Sequence, residues 1–288
     1  MLFIEVLVHK RFCYMHSVST IHVWDLEPII QSEGNVSFPL ANREITFELK
    51  NSHERMYAAK CLLKVRHPQS DVDSLLFKRF VKQGDRVLDA GANIGYTALT
   101  FLSLGASKVV ALEPVPYIFD RLHTLASDDL ITVEKALSAE DGEAEIVLSQ
   151  SHNQGSSIKP ELMEIFPEVY GAELKKALIK TTTIDQLVGE HGQFDLWKLD
   201  IEGAEIDALR GASNTLLFSP PRLIFAELYA DALVKFYQLV SATHPYMYRA
   251  LIDVKNYQLH LCDPTLQELE SFYQTSPMYV FSQEEIKD

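Results

Sequence analysis

Cysteine is scarce in this chain of 288 residues, which contains only Cys13, Cys61 and Cys262. These three positions are far apart and odd in number, so they offer neither a CxxC pair for zinc nor an even set for a disulfide framework. Such usage is typical of reduced thiols in a cytoplasmic protein. The sequence therefore predicts a cytoplasmic location and no structural metal.

A targeting segment, a membrane span and a basic surface are also missing from the pattern. Glu5 interrupts the apolar start, and basic residues follow the apolar stretch instead of preceding it, unlike a signal peptide. The uncharged run from Phe12 to Trp24 is too short and too polar to cross a bilayer. The 26 basic and 40 acidic side chains give a net charge of −14, with no stripe of Lys, Arg and aromatic residues. We therefore expect no membrane partner and no nucleic-acid partner.

What the chain does contain is a regular alternation of strand and helix patterns from about Leu75 onward. Apolar residues at 47% and charged residues at 23% are enough for a sizeable core. Strands are predicted over residues 86–91, 108–114, 130–137, 194–201 and 222–229, and helices over residues 94–104, 116–127 and 204–217. This alternation predicts an α/β fold with a mostly parallel sheet that is covered by helices on both faces.

Four further segments lie beside this alternation. Residues 36–49 are expected to form a hairpin, residues 143–149 to pair back as another hairpin, and the tail over residues 246–282 to form an antiparallel pair. The long connection over residues 149–180 is interpreted as a lid or substrate element. We therefore divide the chain into an N-terminal extension, residues 1–70, which could pack on the sheet or support a homo-oligomer, and one domain, residues 71–288.

The most informative stretch runs from Asp89 to Tyr96, where the first strand of the alternation meets its helix. Gly91 allows a sharp turn, and Gly95 permits a close approach at the helix start, whose free N–H groups and positive dipole end suit a ligand. Glu113 ends the second strand, 22 residues after Gly91. Because an acid there is placed to accept hydrogen bonds from a ribose diol, the combination predicts an adenosine-type cofactor.

The residues of the loop indicate which of two adenosine-type cofactors, a dinucleotide or S-adenosylmethionine, fits this site better. A dinucleotide site has the pattern GxGxxG around the pyrophosphate, whereas Asn93 stands at the second glycine position here. Asp89 would repel a diphosphate, but it suits the cationic amino group and the sulfonium of S-adenosylmethionine. The charges therefore favour this methyl donor, with S-adenosylhomocysteine as the product. A nicotinamide-dependent oxidoreductase is the alternative enzyme.

Four longer motifs follow one another in the order VLDAGANIGYTAL, ALEP, TTTIDQL and WKLDIEGAEIDALRGA, and KLDIEGAE is the most specific part of them. Over Leu76 to Leu228 the chain closely resembles the FkbM family of S-adenosylmethionine-dependent methyltransferases. The resemblance implies the class I methyltransferase fold, which is a Rossmann-like, seven-stranded, mostly parallel sheet with helices on both faces and one antiparallel strand.

The resemblance also implies which residues contact the cofactor. The methionine end would meet Asp89, Gly91, Asn93 and Gly95, the ribose would meet Glu113, and the adenine would meet Ala136 and Leu137 at the end of the third strand. Ala92, Tyr96, Pro114 and Asp200 complete the set of cofactor-binding candidates.

Candidate catalytic acids follow the fourth strand. Methyl transfer is an in-line displacement that needs positioning and an acceptor for a proton. In open α/β sheets the site lies beyond the carboxyl ends of the strands, which puts Asp200 and Glu202 next to the loop. We predict that Asp200 holds the cofactor or the acceptor, and that Asp200, Glu202 or His152 receives the proton. Glu202 and Glu205 could instead stabilise the start of the next helix, and Lys198 is interpreted as an ion-pair partner of a nearby acid.

The predicted function is transfer of a methyl group from S-adenosylmethionine to a small-molecule acceptor. The resemblance suggests a hydroxyl oxygen of a sugar, a glycan precursor or a secondary metabolite. No metal is predicted. Asp200 and Glu202 nevertheless offer oxygen ligands, so a divalent ion that helps to ionise the acceptor hydroxyl stays an open alternative. Glu227, at the end of the fifth strand, is a further candidate acid. A catalytically inactive binding protein of the same fold is the alternative outside enzymes, and the intact loop, Glu113 and Asp200 count against it.

Overall fold

The structure, a computed structural model, describes residues 32–149, 156–158, 175–228, 232–253, 255–264, 272–273 and 278–287. Its strands are β1 (Asn35–Leu40), β2 (Arg43–Glu48), β3 (Arg86–Ala90), β4 (Lys108–Leu112), β5 (Leu130–Val133), β6 (Ala136–Leu137), β7 (Gly142–Leu148), β8 (Lys175–Thr182), β9 (Leu196–Leu199), β10 (Leu223–Glu227), β11 (Tyr246–Asp253), β12 (Gln258–Cys262), β13 (Phe272–Tyr273) and β14 (Met278–Ser282). Its helices are α1 (Ser52–Leu63), α2 (Pro68–Phe80), α3 (Tyr96–Ser103), α4 (Pro116–His123), α5 (Ile184–His191), α6 (Glu205–Arg210), α7 (Ser213–Phe218) and α8 (Ala232–Val240). None of these helices combines the length and the apolar character that a membrane crossing requires.

Nine of the described strands form one sheet in the order β12-β11-β14-β10-β9-β3-β4-β5, with β13 pairing with β11. β3 is parallel to β4 and β9, and the pairs β4–β5 and β9–β10 are parallel as well. β14 runs antiparallel between β10 and β11, so the seven strands from β5 to β11 contain one antiparallel member. This is the class I methyltransferase arrangement, and the predicted fold is confirmed. β12 and β13 extend it with antiparallel pairings, as expected for the tail.

Both faces of the main sheet are covered by helices, because neighbouring side chains of each strand point in opposite directions. Val87 packs in one core with α1, α2, α3 and α4, whereas Leu88 packs in another core with α5, α6, α7 and α8. On the first face the ring of Phe77 in α2 lies 4.4 Å from Phe101 and 5.5 Å from Phe225, measured between centroids. The carboxyl ends of the parallel strands are therefore the edge at which a ligand can reach the sheet.

The strand predicted over residues 130–137 is two strands in different sheets, so this prediction is wrong in part. β5 lies at the edge of the main sheet, whereas β6 belongs to a three-stranded sheet in the order β6-β8-β7. The polar pair Glu134 and Lys135 separates the two strands. β7 pairs with β8 and not with the third strand, so the hairpin predicted for residues 143–149 is also wrong. β8 begins inside the connection over residues 149–180 and supplies the backbone partners for both neighbours.

The single helix predicted over residues 204–217 is also interrupted, between α6 and α7. Gly211 lies against another part of the chain, since a Cβ atom there would be 2.3 Å from the carbonyl oxygen of Ser138. The carboxylate of Asp185 accepts hydrogen bonds from the backbone N–H groups of Asn214 (3.0 Å) and Thr215 (2.7 Å). Asp185 thus caps a new helix start, which divides the predicted helix.

The described part of the N-terminal extension packs on the main sheet. β1 and β2 form the hairpin predicted over residues 36–49, and Phe47 and Ala58 are fully buried in the core that also contains Val87. Glu54 of α1 forms an ion pair of 2.7 Å with Arg121 of α4. The boundary predicted after residue 70 falls inside α2. Because residues 1–31 lie outside the described residues, the division into two parts stays a prediction.

Candidate active site

The loop between β3 and α3 is shaped by two glycines in left-handed conformations. Gly91 has a φ of +76°, and a Cβ atom there would lie 1.9 Å from the backbone oxygen of Asp200. Gly95 has a φ of +92° at the start of α3, where a Cβ atom would be 2.9 Å from Leu122. The N–H groups of Gly91 and Ala92 donate to the carbonyl oxygen of Leu112, at 3.1 and 2.8 Å. The loop is therefore fixed against the ends of both β4 and β9.

Glu113, the acid after β4, is held by this loop. Its Oε2 accepts a hydrogen bond of 3.1 Å from the backbone N–H of Asn93, and its Oε1 accepts one of 2.9 Å from Val115. Asn93 itself has a φ of +49°. Burial raises the pKa of Glu113 to about 7, although the two N–H groups favour the ionised carboxylate. The glycine loop and the predicted ribose acid thus form one connected unit.

Lys198 lies at the centre of a buried charge cluster beneath the loop. Its Nζ lies 3.4 Å from Oδ1 of Asp89 and 3.2 Å from Oδ2 of Asp200. It also donates to the carbonyl oxygens of Ala90 (3.3 Å) and Gly91 (3.2 Å). Burial would lower the pKa of Lys198, but the charges of Asp200 and Asp89 outweigh it and raise that pKa. The predicted ion-pair role of Lys198 is confirmed, and its ammonium group stays charged.

A second group of acids surrounds Asp200 at the ends of β9 and β10. Carboxylate oxygens of Asp200, Glu202 and Glu227 lie within 4.8 Å of one another, close enough to share a cation. Burial, and then the charge of Asp200, raise the pKa of Glu227 well above its ordinary value. Burial pushes the pKa of Asp200 upward, yet Lys198 and a hydrogen bond with Glu227 outweigh it and lower that pKa. The opposite directions of these two pKa shifts favour a proton on Glu227 over one on Asp200.

The turn after β9 presents Glu202 in a left-handed conformation, with a φ of +53°. Oε1 of Glu205 accepts hydrogen bonds from the backbone N–H groups of Ile201 (3.1 Å) and Gly203 (3.2 Å), and Ser157 donates to the Glu202 carbonyl oxygen at 2.6 Å. Burial raises the pKa of Glu205 to about 7. Glu205 therefore stabilises the start of α6, which is the role that the sequence predicts for it.

A cleft of about 490 Å³, counted with the space open to solvent, lies between the loop and the first two helices. It is lined by His53, Glu54 and Tyr57 from α1, Asp73 from α2, Gly91, Ala92, Asn93, Ile94, Tyr96 and Thr97 from the loop and α3, and Lys198 and Asp200 from the end of β9. Of the predicted site residues, Gly91, Ala92, Asn93, Tyr96 and Asp200 meet in this cleft.

The other predicted site residues lie around the cleft or outside the described residues. Asp89 is 0% exposed and lies beneath the loop, Gly95 begins α3, and Glu113 and Pro114 follow β4. Ala136 and Leu137 are buried in β6, paired with Thr181 and Thr182 in the second sheet instead of ending the third strand. Glu202 lies on the turn after β9. His152 lies outside the described residues.

Asp73 is the most informative of the cleft residues that sequence reasoning missed; the others are His53, Glu54, Tyr57, Ile94 and Thr97. It lies three positions before Leu76 and four before Phe77, both buried, so it is an acid on the apolar face of α2. Its Oδ1 is buried and has no hydrogen-bond partner in the described part of the chain. Burial, and then the charge of Asp200, raise the pKa of Asp73 to about 7. An acid within the buried stripe of a helix was the signal that could have revealed it.

Comparison with known families agrees with this geometry. Residues 89–259 match the family model described as the methyltransferase FkbM domain. The chain belongs to the FkbM methyltransferase family. The resemblance inferred from the motifs is thereby confirmed, and the matched range includes the loop, Glu113 and Asp200. It begins after α1 and α2, which supply His53 and Asp73 to the cleft.

Individual relatives match more narrowly. The ribosomal protein L11 methyltransferase of Thermotoga neapolitana is 30% identical over 87 residues, which is 29% of this chain and 33% of the relative. The chain thus spans about a third of the length of this curated relative. The precorrin-6y C5,15-methyltransferase of Geobacter metallireducens is 10% identical, with a TM-score of 0.41 and coverage of 75% of this chain and 89% of that one. The S-adenosylmethionine-dependent O-methyltransferase of Thermotoga maritima is 12% identical, with a TM-score of 0.38 and coverage of 75% and 66%.

Proposed function

We propose that this FkbM family member transfers a methyl group from S-adenosylmethionine to a hydroxyl oxygen and releases S-adenosylhomocysteine. The observation that carries the proposal is the hydrogen bond between the Asn93 N–H and Glu113. It joins a glycine loop to an acid at the carboxyl ends of adjacent parallel strands, which is where an open α/β sheet binds an adenosine ribose.

The charges around the cleft support S-adenosylmethionine over a dinucleotide. Asp73, Asp200 and Lys198 line the cleft, and Asp89 lies against Lys198 from below. Carboxylates therefore outnumber ammonium groups at this end of the site. A pyrophosphate would be repelled there, whereas a sulfonium and an ammonium group would be attracted.

In this mechanism the bound cofactor supplies an electrophilic methyl group. The acceptor oxygen gains the methyl as the carbon–sulfur bond breaks, and its proton passes to a carboxylate. We assign proton transfer to Asp200 or Glu202 at the end of β9, and His152 stays a candidate from the sequence alone. Lys198 keeps Asp200 ionised and oriented, because its ammonium group lies 3.2 Å from Oδ2.

We further propose a small-molecule acceptor, such as a sugar, a glycan precursor or a secondary metabolite. The net charge of −14 supports an acceptor that is not a nucleic acid. A protein acceptor is a second candidate, because the curated relative is named for a ribosomal protein. Cytoplasmic location and self-association through residues 1–70 stay predictions.

The acceptor class is testable by S-adenosylhomocysteine release. Purified protein would be incubated with S-adenosylmethionine and three separate pools: hydroxylated small molecules, ribosomal proteins and RNA. We expect release with the first pool alone, and loss of that release in Asp200→Asn combined with Glu202→Gln. Release with RNA or ribosomal protein alone would replace the small-molecule acceptor.

A further inference from the structure

Asp73 forms no ion pair in the described residues, whereas Asp89 and Asp200 both pair with Lys198. Its Oδ1 is buried without a hydrogen bond in the described residues, although the side chain lines the cleft beside Gly91, Asn93 and Asp200. A buried, unpaired carboxylate oxygen is unfavourable unless a cation or a donor approaches it. The position therefore suits a ligand group that carries N–H donors and positive charge.

The two lysines that act on Asp73 are both engaged elsewhere. Lys198 is shared between Asp89, Asp200 and two backbone carbonyl oxygens. Lys60 of α1 forms an ion pair of 2.8 Å with Asp71, and it donates to the hydroxyls of Ser70 and Ser74. Each ammonium group thus has partners of its own, which leaves the charge of Asp73 without a dedicated counter-ion.

We propose that Asp73 binds the α-ammonium group of the methionine moiety of S-adenosylmethionine. This inference rests on the proposed function, because it assumes an adenosyl cofactor in the cleft. Asp89, the acid that the sequence favours for this contact, is fully buried and lies against Lys198. Asp73 lines the cleft itself. A helix that precedes the matched range of residues 89–259 would then complete the cofactor site.

The contact also gives cofactor binding a dependence on pH. Burial and the charges of Asp200 and Asp89 raise the pKa of Asp73 to about 7, against the opposing charges of Lys198 and Lys60. An ammonium ligand favours the ionised carboxylate, so its binding strengthens as pH rises from 6 to 8. Glu113 also has a pKa near 7, but it acts on the nucleoside and changes the binding of any adenosyl ligand.

The test compares two ligands by isothermal titration calorimetry at pH 6, 7 and 8. One is S-adenosylhomocysteine, and the other is its analogue without the α-amino group, 5′-S-(3-carboxypropyl)-5′-thioadenosine. The proteins are the wild type, Asp73→Asn, and Asp120→Asn as a control that removes one carboxylate from an exposed position of α4. The analogue reports on folding of the cleft, because it needs every contact except the ammonium.

We expect Asp73→Asn to weaken S-adenosylhomocysteine binding by about tenfold or more at pH 8, the size of a charge-assisted hydrogen bond. It should change analogue binding less than about twofold and should flatten the extra pH dependence that the amino group confers, whereas Asp120→Asn changes neither. Equal effects on both ligands, or no effect on either, would overturn the assignment of Asp73. Failure of the wild type to bind either ligand would instead overturn the proposed function.

Discussion

Two regions line the cleft, and they differ in whether their charged side chains have partners within the protein. At the strand ends of β3, β4 and β9, Lys198 pairs with both Asp89 and Asp200, and Glu113 accepts hydrogen bonds from two backbone N–H groups. The preceding helices α1 and α2 bring Asp73 to the same cleft without a partner for Oδ1 in the described residues. The strand ends and the glycine loop, which we call the motif half, are therefore a fixed framework, while α2 leaves the Asp73 carboxylate available to a ligand.

The largest effect should come from crowding the motif half at Gly91. In Gly91→Ala the new Cβ atom would lie 1.9 Å from the Asp200 backbone oxygen at a φ of +76°. Backbone strain and overpacking together predict a loss of about 2–6 kcal/mol in the free energy of unfolding. Urea unfolding measures this loss, and S-adenosylhomocysteine binding should disappear as well.

Gly189→Ala is the matched control for Gly91→Ala. Gly189 lies in α5, and nothing lies within 4 Å of a Cβ atom placed there. We expect unchanged or higher stability, by up to about 1 kcal/mol, because alanine favours a helix. Equal losses in both variants would mean that the close approach of the loop to Asp200 has no special importance.

Removing Lys198 should have the next largest effect. Lys198→Met leaves the buried Asp89 and the half-buried Asp200 without their shared cation. Loss of one member of a buried ion cluster predicts a destabilisation of about 3–5 kcal/mol. Chemical unfolding tests this, and adding Asp89→Asn to Lys198→Met should recover part of the loss. A loss below about 1 kcal/mol would contradict a fixed, charged framework.

Glu113 should make stability depend on pH. Its pKa is raised from 4.5 to about 7 in the folded chain, so the folded state binds this proton more tightly than the unfolded state. The contribution is complete below pH 4.5, falls as pH rises through 7, and amounts to about 3 kcal/mol. Unfolding of the wild type and Glu113→Gln at pH 5 and pH 8 isolates it. Identical pH profiles for the two proteins would argue against a buried, protonatable Glu113.

The ion pair between α1 and α4 should give the smallest of these effects. Arg121 of α4 donates to both oxygens of the buried Glu54 in α1, at 2.8 and 2.7 Å. Arg121→Met should cost about 1–3 kcal/mol, since it leaves Glu54 with fewer donors. Lys176→Met, which removes an exposed ion pair of 2.6 Å with Glu145, should cost less than about 1 kcal/mol. Similar losses of stability in the two variants would show that the ion pair between Arg121 and Glu54 is no stronger than a surface ion pair.

The motif half was accessible to sequence reasoning because its signals are local. Strand, glycine loop, helix and acid follow within Arg86 to Glu113, and the family resemblance covers the same stretch. The predicted parallel order of the strands is confirmed by pairings such as Asp89 with Lys198. Short-range periodicity determines these elements, so one sequence is sufficient to locate them.

The features that the sequence did not predict depend on contacts between residues that are far apart in the chain. The pairing of Leu137 with Thr182 that takes β6 into a second sheet joins residues far apart in the chain. The break at Gly211 depends on its approach to Ser138, and the position of Asp73 depends on how α2 packs across the sheet. Local patterns carry no information on such approaches, which explains why the sequence predicted one long strand, one long helix and no role for α2.

The central claim, that the glycine loop and Glu113 bind an adenosyl methyl donor, is tested most directly by calorimetric titration of the wild type. S-adenosylmethionine, S-adenosylhomocysteine and NADH would be titrated in parallel, and then again into Glu113→Ala. We predict binding of one equivalent of each adenosyl ligand at micromolar concentration, no binding of NADH, and loss of the adenosyl binding in the variant. Binding of NADH without binding of either adenosyl ligand would contradict the account and favour an oxidoreductase.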